Sequence, residues 1–474
     1  MSGKNLYETV ADHIVALIKG GTLRVGERVP SVRHLSQQQQ VSISTVLQAY
    51  RVLENRGWIE ARPQSGYYVL RTKQTRAPEP EVSQPPLDIT PVAVKELIRQ
   101  FYHAAQQPGI IQMGAAIGTP TNFPSRQLAR ATSGVARQFR DEGNSYDLPP
   151  GNFALRTQIA KRAMESGCQL TPNDIIISTG CTEALNLCLR AVAQPGDVIL
   201  IESPTYLTTL QIIESLGLRT LEIPTHPRQG IDLSTLEYVL ERETIAACLL
   251  MPGVHNPLGC SMPVTHIRQL VHLLAERDIP LIEDDVWGDT YFGESRPPTA
   301  KSFDKSDSVL LCSSFSKTIA PGYRIGWVAP GRYFPDVEYL KFVSSLANPS
   351  LPSLAIAEFL ENGGYDHHLR RLRRHNREKV QSMTELLERY FPEGTRITRP
   401  IGGEVVWAEL PGNINTTQLF SRALREGICI GPGSIFSAKG KYTNCLRLYC
   451  GHHETETTQQ AILKLAQLIE KMGI

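Results

Sequence analysis

A chain of 474 residues, 41% hydrophobic and 20% charged, is long enough for two to four domains and ordinary for a globular protein with a large core. It has no apolar run near bilayer length, and Glu8 and Asp12 interrupt the opening MSGKNLYETVADHIVALIKGG, so neither a membrane span nor a signal peptide is expected and the cytoplasm is the expected location. Net charge is only +2 but unevenly spread: residues 1–76 carry eleven Lys/Arg and five Asp/Glu, a balance of +6 that leaves the remainder at −4. Any nucleic-acid contact therefore belongs to the front.

In chain order, an amphipathic helix runs from about Leu6 to Lys19 and stops at Gly20 and Gly21. Ser31 is a plausible N-cap for a short helix in VRHLSQQQQ. After Val41, SISTVLQAYRVLENRG gives another helix with Val46, Ala49, Tyr50 and Leu53 on one face, capped by Ser42 or Ser44 and ended by Gly57. WIEARPQSGYYVL then reads as two strands around a turn at 63–66. Three helices and a hairpin make a winged helix-turn-helix, in which the start of the third helix enters the major groove and the wing reaches the backbone or minor groove. Residues 72–87, TKQTRAPEPEVSQPPL, carry prolines and charge without apolar periodicity and read as a linker.

From about residue 88, strand-like runs alternate with helical patterns. DIIIST, DVILIES, AACLLM, PLIEDD and VLLCSS are apolar on both faces and read as buried parallel strands of a doubly wound α/β domain over 88–349. From 350 to 474, long charged helices, the strands EVVWAEL and NCLRLYC, and a closing helix fit a smaller α+β domain. Nine cysteines, at 168, 181, 188, 248, 260, 312, 429, 445 and 450, form no CxxC pair and read as buried free thiols. Adjacent histidines at 367–368 and 452–453 diverge too far to share a metal, and no metal site is expected.

The front resembles the DNA-binding domain of the GntR family over residues 6–70, on LRVGERVPSVRHL (23–35), SISTVLQAYRVL (42–53) and GWIE…SGYYV (57–69). The resemblance implies DNA contacts by Arg33, Ser42, Ser44 and the wing around Ser65 and Gly66. Taken alone, Arg33 would be read as a surface salt-bridge former; only the motif around it reverses that. Lys19, Arg24 and Arg28 suit phosphate better than bases. Many relatives place arginine at the second position of the recognition helix. Here it is Ile43, which suits apolar readout such as a thymine methyl.

Pyridoxal phosphate requires a lysine for a Schiff base, an acid facing the pyridine nitrogen, phosphate donors, and a polar group on the ring hydroxyl. Residues 110–474 resemble the fold-type-I aminotransferases, and joined to a GntR head the chain resembles the MocR-type regulators. By that resemblance Lys317, in SSFSKTIAPGYRIGW, is the Schiff-base lysine, and Ser314 and Arg324 are phosphate ligands. STGCTEAL places Gly180, Cys181 and Thr182 at a phosphate-binding helix start, a motif weak by itself because many β–α turns carry it as a cap. Tyr206 in ESPTY stacks on the ring, Asn256 in HNPLG meets the ring hydroxyl, and Asp284 in IEDDVW pairs with the pyridine nitrogen. Tyr146 reaches the phosphate of a neighbouring subunit, which implies a homodimer, and Arg447 in CLRLYC clamps a carboxylate. One departure stands out: relatives usually carry tyrosine three residues after the first Asp, where this chain has Trp287, which offers an N–H but no acidic phenol.

The leading expectation is a transcriptional regulator that binds operator DNA and senses a small amine, an amino acid or the cofactor itself through an aldimine at Lys317. The alternative is a catalytically active aminotransferase with an accessory DNA-binding head, and Trp287 leaves its turnover open. A body empty of cofactor fits the Lys-Asp-Asn-Arg set poorly.

Overall fold

The computed structural model of the chain describes residues 6–19, 22–23, 26–55, 57–62, 65–69, 76–362, 364–451 and 455–473. Arg24, residues 63–64 of the wing turn, and the His452–His453 pair lie outside them, as does the side chain of Lys19. Two compact units divide the chain: residues 1–77 with 385–391, and residues 78–384 with 392–474.

In the first unit, helix α1 (Leu6–Lys19) carries Val10, Ala11 and Ile14 into a core completed by Leu35 of α2 (Val32–Gln39) and by Val46, Ala49, Tyr50 and Leu53 of α3 (Ile43–Asn55). Ser31 caps α2 by accepting from the His34 N–H at 3.3 Å. Gln40 ends α2 in the left-handed region, and the Val41 N–H donates to Ser36 O at 3.1 Å to close the turn into α3. Ser42 rather than Ser44 caps α3, since its Oγ accepts the Thr45 N–H at 3.1 Å. Strands β1 (Ile59–Arg62) and β2 (Gly66–Val69) form the antiparallel wing. Residues 26–29 pair with the free edge of β2 as well: Val29 N donates to Tyr67 O and Val69 N to Glu27 O. Tyr50 anchors this strip from below by donating its hydroxyl to Pro30 O at 2.6 Å.

The second unit is built on an eight-stranded sheet in the order Ile176–Ser178, Gly326–Ala329, Val309–Ser314, Leu281–Asp284, Ala247–Leu250, Val198–Ser203, Arg219–His226, Gly230–Ile231. The run from Val309–Ser314 to Arg219–His226 is parallel and buried on both faces, as apolar runs require. The sheet is not wholly parallel, however: Gly326–Ala329 is antiparallel to both neighbours, so Ile176–Ser178 keeps the direction of the parallel run, as read from the sequence, but pairs with an antiparallel strand. The reason is length. Only residues 315–325 separate Val309–Ser314 from Gly326–Ala329, and they contain no crossover helix. One core cluster joins Ile177, Leu311 and Trp327 to Leu155, Ile159, Ile356 and Leu369; another joins Leu200, Leu221 and Leu250 to Ile267, Leu270 and Leu274.

A smaller antiparallel sheet holds Arg396–Ile397, Val405–Glu409, Cys445–Tyr449 and Gly431–Pro432. Residues from the front of the unit join this part of the fold: Ile111–Gln112 pairs with Ile428–Cys429, and Phe101 of helix Lys95–Ala105 meets Phe420. The segment after Pro78 lies against the body along much of its length. Pro78 O accepts the Ile397 N–H at 2.8 Å, Glu79 pairs with Arg228, Glu81 pairs with Arg396 at 2.6 Å, and Thr90 exchanges backbone hydrogen bonds with Thr220. Ser83 donates to Ser203 O and accepts from the Thr225 N–H. All nine cysteines are free and buried.

Candidate functional site

Parallel strands end on a shared edge, and the crevice outside their carboxyl ends is where an open α/β sheet places ligands. Asp284 and Ser314 are the last residues of their strands, while Asn256 and Tyr206 lie just beyond Ala247–Leu250 and Val198–Ser203. Lys317 follows Ser314 by three residues and is partly buried. Its Nζ donates to Ala116 O at 2.6 Å and lies 4.9 Å from the centroid of the Trp287 ring. Burial pulls its pKa down to about 8, with Arg447 and Arg324 pushing the same way and Glu404 and Asp284 opposing. A neutral amine is thus available close to physiological pH, which a nucleophilic lysine needs.

Asp284 is 3% exposed and has no basic side chain within ion-pair distance among the described residues. Its Oδ1 accepts from the Val286 N–H at 3.1 Å and from Cys181 Sγ at 3.5 Å, yet burial lifts its pKa to about 6. A buried carboxylate in that condition is matched by a cationic ring nitrogen.

Helix Cys181–Val192 begins at Gly180, whose φ of +79° favours glycine. A Cβ at 180 would strike the Arg324 guanidinium, and one at Gly326 would strike the Gly180 backbone. Arg324, itself at φ +56°, donates to Thr179 O at 3.2 Å and to Ser316 Oγ at 3.4 Å. The result is a narrow cradle of helix N–H groups, Ser314 and a guanidinium, chemically suited to a phosphate. Thr182 is exposed on the first helical turn. The Cys181 side chain is engaged with Asp284, so what it offers an anion is its backbone N–H. Cradle, acid and amine together fit pyridoxal phosphate.

Arg447 enters from the small sheet. It is 2% exposed, donates to Asn256 Oδ1 at 3.0 Å and Gly114 O at 2.6 Å, and stacks over Phe436, but its Nε has no partner. No carboxylate pairs with it among the described residues, and burial lowers its pKa to about 10. Tyr206 joins the cluster of Met251, Val254, Trp287 and Tyr291, and burial raises its pKa. Tyr146 is 77% exposed, apart from this enclosed set.

The second constellation is on the first unit. Arg33, Ser42, Ile43 and Ser44 are all exposed at the helix-turn-helix, and Ile43 is 49% exposed. Ser65 Oγ shares a hydrogen bond with Tyr68 Oη at 2.6 Å, and Gly66 (φ +108°) lies against the Arg28 guanidinium, which a Cβ there would have to displace.

Residues 6–69 match the model of bacterial regulatory proteins of the gntR family, and residues 110–465 match aminotransferase class I and II. The chain is 38% identical over 465 residues to the uncharacterized HTH-type transcriptional regulator YjiR of Escherichia coli K12, covering 98% of each chain. This protein is a GntR-family transcriptional regulator fused to an aminotransferase-like domain. Such fusions are the MocR type. The regulator's body is also 31% identical to the 2-aminoadipate transaminase of Thermus thermophilus, over 79% of this chain and 93% of that one. The solved LysN α-aminoadipate aminotransferase, complexed with N-(5'-phosphopyridoxyl)-L-leucine, superposes with a TM-score of 0.72 at 29% identity, covering 80% of this chain and 99% of that one. The body therefore has the fold-type-I aminotransferase fold, whose homologues use pyridoxal phosphate.

Sequence reasoning did not find Glu404, a buried carboxylate within electrostatic reach of Lys317, nor the Cys181–Asp284 contact. Glu404 sits at the head of an apolar strand in IGGEVVW, where spacing carries no chemical signal.

Proposed function

We propose that this regulator senses a small amine, an amino acid or pyridoxal phosphate itself through Lys317, and that occupancy of the body changes the grip of the head on operator DNA. Arg447 carries the reading. A guanidinium held this deep, with one N–H unmatched and no carboxylate partner among the described residues, is arranged for an anion that arrives with a ligand.

Pyridoxal phosphate, when bound, supplies an aldehyde for amines and a ring that withdraws electrons. The chain's residues do the rest. Gly180, Cys181, Thr182, Ser314 and Arg324 would hold the phosphate, Asp284 the ring nitrogen, Asn256 the ring hydroxyl, and Tyr206 a ring face. Lys317 presents a neutral amine because burial disfavours its charge. Arg447 orients the ligand carboxylate and is itself held by Asn256 and Gly114 O. Trp287 gives Lys317 an aromatic face but no phenol, which supports sensing over turnover. A ligand moves the head only as far as it favours one of two arrangements.

DNA contact by Arg33, Ser42, Ser44, Ser65 and Gly66 belongs to the same proposal, as does action in the cytoplasm; no helix among the described residues is long and apolar enough to cross a membrane. So does a homodimer, supported by the exposed Tyr146, Leu148, Tyr339, Phe342 and Val343. The test is to measure operator affinity and the visible absorbance of lysine-bound cofactor together across candidate amino acids. A ligand that shifts both in the wild type and neither in Lys317→Ala supports the reading. Rapid keto-acid release from many amino acids with no operator binding would overturn it in favour of an aminotransferase.

A further inference from the structure

Buried carboxylates are costly, and most of those in this body have evident partners. Glu202 accepts from the Met251 N–H, Glu222 from Ala438 N, Ser437 and Ser203, and Glu283 from the N–H groups of Ala300 and Lys301. Asp285 and Asp289 share Arg296. Asp284 is the acid of the strand edge. Glu404 is different.

Glu404 is 4% exposed and has no cation within ion-pair distance among the described residues. Its side chain adjoins Tyr449 and Asn376, both neutral. The glycines before it fix its place. Gly403, at φ +77°, donates to Thr290 O and Thr290 Oγ1, and a Cβ there would touch the Trp287 ring at 3.5 Å. At Gly402 a Cβ would press on Val254 at 2.8 Å and the Tyr291 backbone at 3.0 Å. The segment thus rests on the same indole that underlies the Lys317 amine. The charged and titratable groups facing that amine are Glu404 and Asp284 on one side of the balance and Arg447 and Arg324 on the other. Asp284 is already committed to Val286 N and Cys181, and the Trp287 indole N–H is not acidic enough to trade a proton with an amine.

We infer that Glu404 is a positioning residue, the anion that holds a proton on the nitrogen at Lys317. This deepens the sensor reading and rests on it. The electrostatics agree: of the two carboxylates acting on Lys317, Glu404 has the larger effect, and Lys317 in turn opposes the upward shift that burial imposes on Glu404. Nitrogen charge at this place is thereby set from the small sheet, by a residue with no contact to the phosphate cradle.

The experiment is a spectrophotometric pH titration of the full-length protein loaded with pyridoxal phosphate, comparing wild type, Glu404→Gln and Glu404→Asp without effector. Glu404→Gln should lower the midpoint of the visible band by about one unit or more, the size expected for losing an opposite charge. Glu404→Asp, which retains the charge on a shorter stem, should move it less and in the same direction. A Glu404→Gln midpoint equal to wild type overturns the inference. If Glu404→Gln does not fold, an unmoved midpoint in the equally neutral Glu404→Met does so. A wild-type protein with no visible band, or a band that survives Lys317→Ala, overturns the sensor reading itself.

Discussion

The two candidate sites of this regulator are built on opposite principles. On the head, Arg33, Ser42, Ile43 and Ser44 are exposed, and the buried residues beneath them are apolar apart from the tethered hydroxyl of Tyr50. In the body, Asp284, Asn256 and Arg447 are nearly inaccessible, and Asp284, Lys317 and Arg447 all have shifted pKa values. A surface that meets a polyanion needs accessible donors on a stiff frame, because phosphate and base edges come to it. A pocket that grips a small charged molecule must desolvate it, and so keeps its own charges underpaired until the ligand comes. Damage to the first should weaken binding without altering the spectrum. Damage to the second should abolish ligand chemistry while leaving the head folded.

The sharpest break in that comparison is Lys317→Ala, which should remove the visible band of bound pyridoxal phosphate completely while gel-shift affinity of the effector-free protein for operator persists. Arg447→Met should weaken a carboxylate-bearing effector by about 2–5 kcal/mol in titration calorimetry, as truncating one partner of a buried charge pair does. Its effector-free melting temperature should stay level or rise, because an unmatched buried charge leaves with it. Leu53→Ala, at a fully buried head position, should destabilise the head by about 2–5 kcal/mol and lower operator binding, with the absorbance spectrum unchanged. For the apo protein, the neutral fraction of Lys317 falls about tenfold per pH unit below its pKa. With that pKa lowered to about 8, the rate of cofactor loading should climb up to pH 8 and level off above it. The same lowered value means that burying Lys317 costs stability below pH 8, a cost relieved as pH rises toward its ordinary value. The smallest effect belongs to the exposed head: Arg33→Ala should reduce the slope of log affinity against log salt by about 1 and leave melting unchanged.

How much of this was readable from sequence follows the same division. In the head, α1 begins and ends at the residues expected, and Ser31 caps as expected, because hydrophobic period and capping chemistry are local. The pairing of residues 26–29 with the wing was not legible, since LRVGERVPS has no alternation to mark it as a strand. In the body, runs such as VLLCSS and PLIED declared buried strands through apolar content on both faces. The direction of GWVA did not, because strand polarity depends on the connection and not on the strand. The stretch from Pro78 to Thr90 gave no periodicity, yet its carbonyls, hydroxyls and charges bind the body one by one; an extended segment can be held without presenting an amphipathic face. Lys317, Asp284, Asn256 and Arg447 were visible through their motifs; the structure sets the first three at the carboxyl edge of the large sheet and brings Arg447 to Asn256 from the small sheet. Glu404 was invisible because its importance lies in what it faces, a relation no local pattern records.

The nine cysteines have a practical consequence. None lies before residue 168, so every thiol belongs to the body, and every one is shielded from solvent. Burial also raises the pKa values of Cys168, Cys181, Cys248, Cys260 and Cys450, leaving little thiolate to react in the native state. Alkylation by a soluble reagent must then wait for the body to open, and the head contributes nothing to the signal. The chain carries its own clock for one domain: counting modified thiols over time, with and without a candidate effector, reports how firmly the ligand closes the body even while the DNA-binding end is free to melt.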